Sequence, residues 1–586
     1  MLLHRIAPVR RAYLSLARVD PRRLGIIAFA AAALASIAYV LWLGRGETFI
    51  VDEWSYLLQG HQSSLKALLE PHNGHLIVFP ILVLKLMYGV FGISSHLPYQ
   101  LLAVLLNVLI AALLYVFARR SVGPLIALLP AVLMLFYGAG WDAFVTGYQL
   151  PNLVSVAAGL IALLCIRKED LRGDVLACLA LLLSLASFSV GIAFAAGVAV
   201  ALLLRRREAA TRRAWVLLIP AALYAAWFIW AMQFSESQVM AHNVGSLLAG
   251  IFDQLAAIFT GMTGLGAAPG SDNLTAPVGA LPSWGPTLVV LALVGVAFAL
   301  RHRGPSRSFF AALATLCVYL VTIALALNVG ESRVPDASRY VYMGTVLTLL
   351  VLIEAVNGMK PNRAWAIGLT TALFFSLLAN GALMGVGGKV VRLESATNRA
   401  QLGALEIARN DVANDFTVEA GGLSTLSNPD MLFDAGTYFD VTKSYGSPAY
   451  TEAALEGAPE QAREAADQLL SRALPISVRP GFRPAGKGSI AVIEGTEYQR
   501  RPGGCVAIVP ATATAAQVVV EVPSGGLSYK AAAADQPELK LRRFGEGFAV
   551  VPELPAGSAQ VVIPTDRSDR LWQAELVTGS RLELCP

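Results

Sequence analysis

Apolar residues in this chain gather in long runs through its first two thirds and in short pieces beyond about residue 388. A run of about 20 apolar residues is what an α-helix needs to cross the hydrocarbon of a bilayer. Residues 24–43 make the first such run, and a polar stretch follows at 49–75, FIVDEWSYLLQGHQSSLKALLEPHNGH. Residues 76–91 are apolar but short and hold Pro80 and Lys85, which predicts a helix lying at the interface rather than a crossing. Single spans are predicted at 97–117, 122–137, 151–166, 214–232, 286–300, 309–327, 340–356 and 364–386. The run 175–204 predicts two short spans turning near Ser187, Ser189 and Gly191, with a re-entrant hairpin as the alternative. Residues 244–265, weakly apolar with Asp253 and several glycines, read as a further interfacial or re-entrant element. The total is about eleven transmembrane helices.

After Gly388 the pattern changes, and charged and polar residues return. Residues 393–412 and 458–474 carry apolar positions at helical period. Short runs at 489–493, 506–509, 517–522, 548–551, 560–563 and 582–584, parted by Gly and Pro turns, predict a small β-sandwich. The fold class is therefore a polytopic α-helical membrane protein with a C-terminal α+β domain. The domains predicted are 1–388 in the membrane, with a first external loop at 45–96, and 389–586 outside it.

Composition agrees: of 586 residues, 56% are hydrophobic and 15% charged, and the mean hydropathy is +0.59. Charge adds sidedness, because Lys and Arg concentrate in cytoplasmic loops. Arg10, Arg11, Arg22 and Arg23 precede the first span, which predicts a cytoplasmic N-terminus and an external polar stretch. Arg119 with Arg120, Arg167 with Lys168, the run Arg205, Arg206 and Arg207, and Arg301, Arg303 and Arg307 then all fall inside. An odd number of crossings makes the C-terminal domain extracytoplasmic, in a multi-pass protein of the plasma membrane surrounded by its lipids. The net charge of +5 is scattered in short clusters, which argues against a nucleic-acid partner. The first run exceeds a signal-peptide core and no small-x-small cleavage site precedes the polar stretch, so it reads as a retained span. Of five cysteines, Cys165, Cys178 and Cys317 lie in apolar runs and read as packing residues. Cys505 and Cys585 flank the predicted sandwich, and in an oxidising compartment a disulfide closing that module competes with two free thiols.

The polar residues worth chemistry gather on the outside: Asp52, Glu53, His61, Glu70, His72, His75, Asp142, Glu331, Arg333, Asp336 and Arg339. A carboxylate at a membrane boundary can take a proton from a hydroxyl, and a guanidinium can hold a phosphate bidentately. Together they suit transfer from a lipid phosphate. Asp52 and Glu53 have two readings, function or a first-turn charge at a helix N-terminus. His72 and His75, in PHNGH, can position a substrate, can join Asp52 around a divalent metal ion, or can simply be solvated. Arg333 and Arg339 lie where the charge rule disfavours arginine, which suggests an anionic partner or ion pairs with Glu331 or Asp336. Asp142 beside Trp141 offers a second acidic contact for a sugar or caps a loop helix.

The order of parts, with VDEW at Val51 to Trp54, PHNGHLIVFPILVLKLMYGVFG, and ASRY through Tyr340 before a late span, resembles the GT-C superfamily of integral-membrane glycosyltransferases, in its bacterial, polyprenyl-phosphate-sugar-dependent, protein-mannosyltransferase-like form. The resemblance implies a sugar transferase with a polyprenyl-phosphate-linked donor and a glycan, lipid or protein acceptor on the outer face. It implies Asp52 as general base, Glu53 assisting, Asp142 as the second-loop acid and Arg339 on the lipid phosphate. Trp54, His72, His75, Trp141, Arg333 and Tyr340 complete the candidate substrate contacts. The PHNGH turn departs from the His-Pro-Pro form commoner in that family, and acceptor-glycan binding is the role implied for the C-terminal domain. A transporter or lipid-linked glycan flippase is the rival; it predicts polar residues within the spans and reaching both faces.

Overall fold

The structure is a computed structural model that describes residues 20–586 apart from 51, 63, 235–237, 266–283, 329–332, 360–361, 420–431, 485–487, 496–497, 511–514 and 551–553. Arg10, Arg11, Val51 and Glu331 therefore lie outside the described residues. Contacts divide the chain into two units: residues 1–47, 52–91 and 96–392 form the first, and 48–51, 92–95 and 393–586 the second.

The first unit is helical. Its opening helix, Pro21–Leu43, is started by Asp20, whose side chain accepts from the Arg22 amide at 3.0 Å, with proline in the first turn. Among the described residues, seven helices are long and apolar enough to cross a bilayer: Pro21–Leu43, Leu97–Ser121, Leu150–Lys168, Gly285–Arg303, Arg307–Ala326, Ser338–Ala355 and Arg363–Ile407. Val78–Phe91, Gly191–Leu203, Trp215–Ala231 and Leu247–Thr263 are shorter apolar helices. Leu150–Lys168 and Ser338–Ala355 are 83% buried over their apolar windows, against 22% for Pro21–Leu43 and 17% for Gly285–Arg303. The first two therefore form the centre, and the exposed Ile26, Leu34, Val290 and Leu291 present an apolar exterior suited to lipid.

One expectation is revised here, and one predicted boundary falls inside a helix. Residues 122–137, expected as a span, hold only the helix Leu128–Leu135, with Gly123 at φ +88° and Pro124 before it and the non-helical Tyr137 after it. Eight residues rise about 12 Å, well short of the roughly 30 Å of hydrocarbon. The expected end of the membrane domain at Gly388 falls inside the continuous helix Arg363–Ile407. Gly387 and Gly388 pack rather than break: a Cβ on Gly387 would sit 2.4 Å from the Trp141 ring, and one on Gly388 3.1 Å from Leu43. Residues 175–204 do divide, into Leu171–Leu185 and Gly191–Leu203. Gly191 allows the turn, since a Cβ there would meet the Leu185 amide at 2.7 Å.

The second unit carries the helices Ala435–Tyr445, Glu452–Glu456 and Glu460–Ala473, then two antiparallel sheets. One sheet orders Ala549–Val550, Glu538–Arg542, Trp572–Thr578, Ala516–Val522 and Ala491–Gly495. The other orders Ser477–Pro480, Ser558–Val562, Leu527–Lys530, Leu582–Cys585, Val506–Ile508 and Tyr498–Arg500. Trp572–Thr578 buries every second residue, the mark of a strand with one covered face. Asp467, on the last helix, accepts from the amides of Arg543, Phe544 and Gly545 at 2.8, 2.9 and 2.9 Å and ties that helix to the loop after a strand. Cys505 and Cys585, 80 residues apart, are bonded at 1.99 Å beside the paired strands Val506–Ile508 and Leu582–Cys585. Closing a loop of that size restricts the unfolded chain, so Cys585→Ser is expected to cost this unit about 2–4 kcal/mol. Faster hydrogen exchange in Val506–Ile508 and Leu527–Lys530 on urea titration of the full chain would register that loss.

Candidate active site

The helix Asp52–His61 begins on its two acids, whose charge suits the positive end of the helix dipole. Glu53, Trp54, Tyr56, Leu57 and Gly60 are its buried face, so neighbouring acids meet different surroundings. Glu53 is 4% exposed and its Oε1 lies 2.6 Å from His96 Nε2. The other ring nitrogen of His96 faces Glu47 Oε2 at 3.5 Å. Burial disfavours the charged imidazole, but the carboxylates of Glu53 and Glu47 outweigh it and hold the pKa up at about 10. Burial raises Glu47 to about 7, with His96 acting the other way. A Cβ on Gly147 would lie 2.2 Å from Glu53 Oε1 and 3.2 Å from His96 Nε2, so this position must be glycine for the pair to close. Glu53 is thus part of a buried acid–imidazole–acid clamp that orients the start of the helix.

Asp52 is turned elsewhere. Its Oδ1 is screened from solvent and accepts no hydrogen bond among the described residues. His72 Nε2 lies 3.6 Å from it, beyond hydrogen-bonding range, while that nitrogen has Asn73 Nδ2 at 3.2 Å. The His72 ring stands edge-on to Tyr56 at 5.0 Å. His72 and His75 exchange both backbone hydrogen bonds, at 3.0 and 2.8 Å, around Asn73 (φ 48°) and Gly74 (φ 76°). Positive φ at both central residues makes the Asn-Gly pair a tight hairpin turn of the primed type. The segment is therefore built first as a turn, and only His72 reaches Asp52. The His75 ring packs on Phe188 at 4.0 Å. Burial first, then the charges of His72 and Arg333, lower its pKa to about 3 against the opposing pull of Asp52, and it is neutral. Among the described residues, the only group of metal-ligating side chains gathered within 4.8 Å is Cys505, Glu583 and Cys585, so Asp52, His72 and His75 are not brought together as a ligand set.

The second acid arrives on the 3₁₀ turn Gly138–Ala143. The Asp142 amide donates to Ser338 Oγ at 3.2 Å, and the Tyr148 hydroxyl donates to Asp142 Oδ1. The Tyr56 hydroxyl in turn donates to the Tyr148 carbonyl at 3.0 Å, linking this loop to the Asp52 helix. Burial raises the Asp142 pKa; Arg339 and Tyr148 counter it, and the charge of Asp52 adds to the rise. Arg339 opens the helix Ser338–Ala355 and lies over the Tyr340 ring at 5.0 Å. Arg333, 9% exposed, is held by backbone pairing with Asn328 at 2.9 Å in both directions. Asp52, Asp142, Arg339, Arg333 and His72 therefore form one electrostatic neighbourhood.

Two of the expected contacts are tryptophans packed against the protein itself. Trp54 is 1% exposed and belongs to the core, leaving no ring face for a sugar. Trp141 packs its ring on Gly387, while its buried Nε1 donates to no acceptor among the described residues. The residues missed in the sequence are Glu47, His96, Tyr56 and Tyr148 as connectors. A histidine immediately before a span, in the same predicted loop as Glu47 and Glu53, is the signal that could have found His96.

No family model matches the chain, and no curated protein does. Among solved structures it is similar to the crystal structure of ArnT from Cupriavidus metallidurans bound to undecaprenyl phosphate. The match covers 73% of this chain and 85% of that one, at 12% identity and a TM-score of 0.44. Likeness at that level assigns no residue of this site.

Proposed function

We propose that the protein is a membrane glycosyltransferase that moves a sugar from a polyprenyl-phosphate donor to a hydroxyl of a glycan, lipid or protein acceptor. The observation that carries this reading is Asp52 Oδ1, which accepts from no donor among the described residues, beside His72 and in the same neighbourhood as Asp142 and two guanidinium groups. A screened carboxylate oxygen of that kind is poised to accept a hydroxyl proton. As Asp52 takes it, the acceptor oxygen attacks the anomeric carbon from the side opposite the phosphate. The bond from that carbon to the phosphate oxygen breaks, its electron pair leaves with the polyprenyl phosphate, and the sugar is inverted. Arg339, with Arg333, faces the charge that gathers on the leaving phosphate, and Asp142 faces a sugar hydroxyl. Glu47, His96 and Glu53 fix the helix that carries Asp52.

The test is to incubate the purified full chain in lipid nanodiscs with a panel of polyprenyl-phosphate sugars and candidate acceptors, and to count polyprenyl phosphate released. Acceptor-dependent release from at least one donor is expected; release from none overturns the reading. Arg339→Gln removes a charge-assisted phosphate contact worth about 1.5–3 kcal/mol, so the donor KM is expected to rise roughly 10- to 100-fold.

A further inference from the structure

The central helices run between two differently charged ends. Ser338–Ala355 carries Arg339 in its first turn, near Asp142, and Glu354 in its last, about 22 Å further along the axis. Glu354 Oε1 binds Arg167 at 2.5 Å, and its Oε2 accepts the Ser308 hydroxyl at 2.6 Å. Beside that pair opens a cavity of about 310 Å³, lined among others by Arg167, Glu169, Arg205, Arg307 and Ser308. It shares no residue with the candidate active site.

Positive charge exceeds negative in this cavity. Arg167 is neutralised by Glu354 in the wall. Arg205, whose side chain is 10% exposed, donates to Glu169 Oε1 at 2.8 Å and to the Ile166 carbonyl at 3.1 Å, and its buried Nε donates to no acceptor among the described residues. Its counter-ion Glu169 is 61% exposed and so heavily screened. Burial, and then the charges of Arg213 and Arg307, lower the Arg205 pKa against the pull of Glu169. Arg307 is exposed and forms no ion pair with a carboxylate among the described residues. The helix Arg307–Ala326 also begins here: Ser306 Oγ accepts from the Phe309 amide at 3.0 Å, while the amides of Arg307 and Ser308 precede the first intrahelical bonds. Topogenic arginines such as Arg212 need only exposure to water; a side chain that is nine-tenths buried and keeps an unused donor among the described residues, as Arg205 does, is a different arrangement.

The geometry points to a site for a phosphate group in this cavity, held by Arg205 and Arg307 with the first amides of the Arg307–Ala326 helix. Two guanidinium forks and a helix N-terminus match tetrahedral oxyanions, and basic pockets between membrane helices take lipid headgroups in the same way. The shared chemistry is a phosphate oxyanion, supplied by an anionic phospholipid or by free phosphate.

Native mass spectrometry of the delipidated full chain titrated with phosphatidylglycerol, phosphatidylcholine or inorganic phosphate tests the site. Wild type is expected to retain phosphatidylglycerol over phosphatidylcholine, and Arg307→Glu and Arg205→Gln to lower that retention about tenfold or more, as loss of a charge-assisted contact should. Arg212→Gln is expected to behave as wild type. Displacement of the lipid by millimolar phosphate would make the ligand a free oxyanion; persistence of the lipid would make it the headgroup. Arg307 is exposed, so its variant keeps the fold. Equal retention by Arg307→Glu and wild type, or an equal loss in Arg212→Gln, overturns the proposal. Sugar transfer is not part of the readout, so this result stands independently of the proposed enzyme activity.

Discussion

Asp52→Asn is expected to lower sugar transfer by roughly 10²- to 10⁴-fold, the usual worth of a positioned general base, while the protein stays folded. The two expectations separate because the side chain is only partly buried and His72, its ion-pair neighbour among the described residues, stands 3.6 Å away, beyond hydrogen-bonding range. The amide is isosteric with the carboxylate, and loss of a first-turn charge costs about 0.3–1 kcal/mol at most sites. Thermal melting of the two proteins should therefore agree within a few degrees while their turnover does not. If melting and turnover fall together, Asp52 is a structural helix-start residue.

His96→Ala is expected to have the largest effect on stability. The substitution leaves Glu53 and Glu47, 4% and 7% exposed, without the imidazolium that lies between them. Breaking a buried pair from one side costs about 3–5 kcal/mol because the remaining charge stays in a poorly solvating site. The pH sense follows from the pKa shifts. The folded His96 pKa, near 10, exceeds its ordinary 6.5, so its contribution is full below about 6.5 and is lost as pH rises through 10. Glu47 is raised from 4.5 to about 7, so the folded protein also holds that proton more tightly, and this contribution is full below 4.5 and lost as pH rises through 7. Melting curves should show the gap between wild type and His96→Ala narrowing as pH approaches 10. A gap that is constant or widens would show that the ring is packed there without carrying charge.

Much of the fold was legible because span-length apolar runs leave an α-helix little competition in a bilayer. The failures lie where local composition and packing diverge. Residues 122–137 are apolar enough to span, yet Gly123 and Pro124 delay the helix to Leu128. The composition changes after Gly388, yet the helix Arg363–Ile407 runs on through that point, with Gly387 and Gly388 packed against Trp141 and Leu43. The strands Leu527–Lys530 and Glu538–Arg542 mix polar and apolar residues too evenly to stand out from loops. In the site, VDEW and the acidic second loop were visible as motifs, and the Asn-Gly turn could have been read from its dipeptide. The partnership of Glu53 with His96 joins positions 43 residues apart and could not be read from spacing. Neighbouring acids that look equivalent in sequence divide once the helix turns one inward and leaves the other facing His72.

The most direct measurement counts polyprenyl phosphate released and acceptor glycosylated in the same incubation, for wild type and Asp52→Asn, in nanodiscs with a saturating polyprenyl-phosphate sugar. The account predicts one lipid phosphate per sugar transferred by wild type and a fall of at least about a hundredfold in both for Asp52→Asn. Equal release and equal transfer by the two proteins would contradict it.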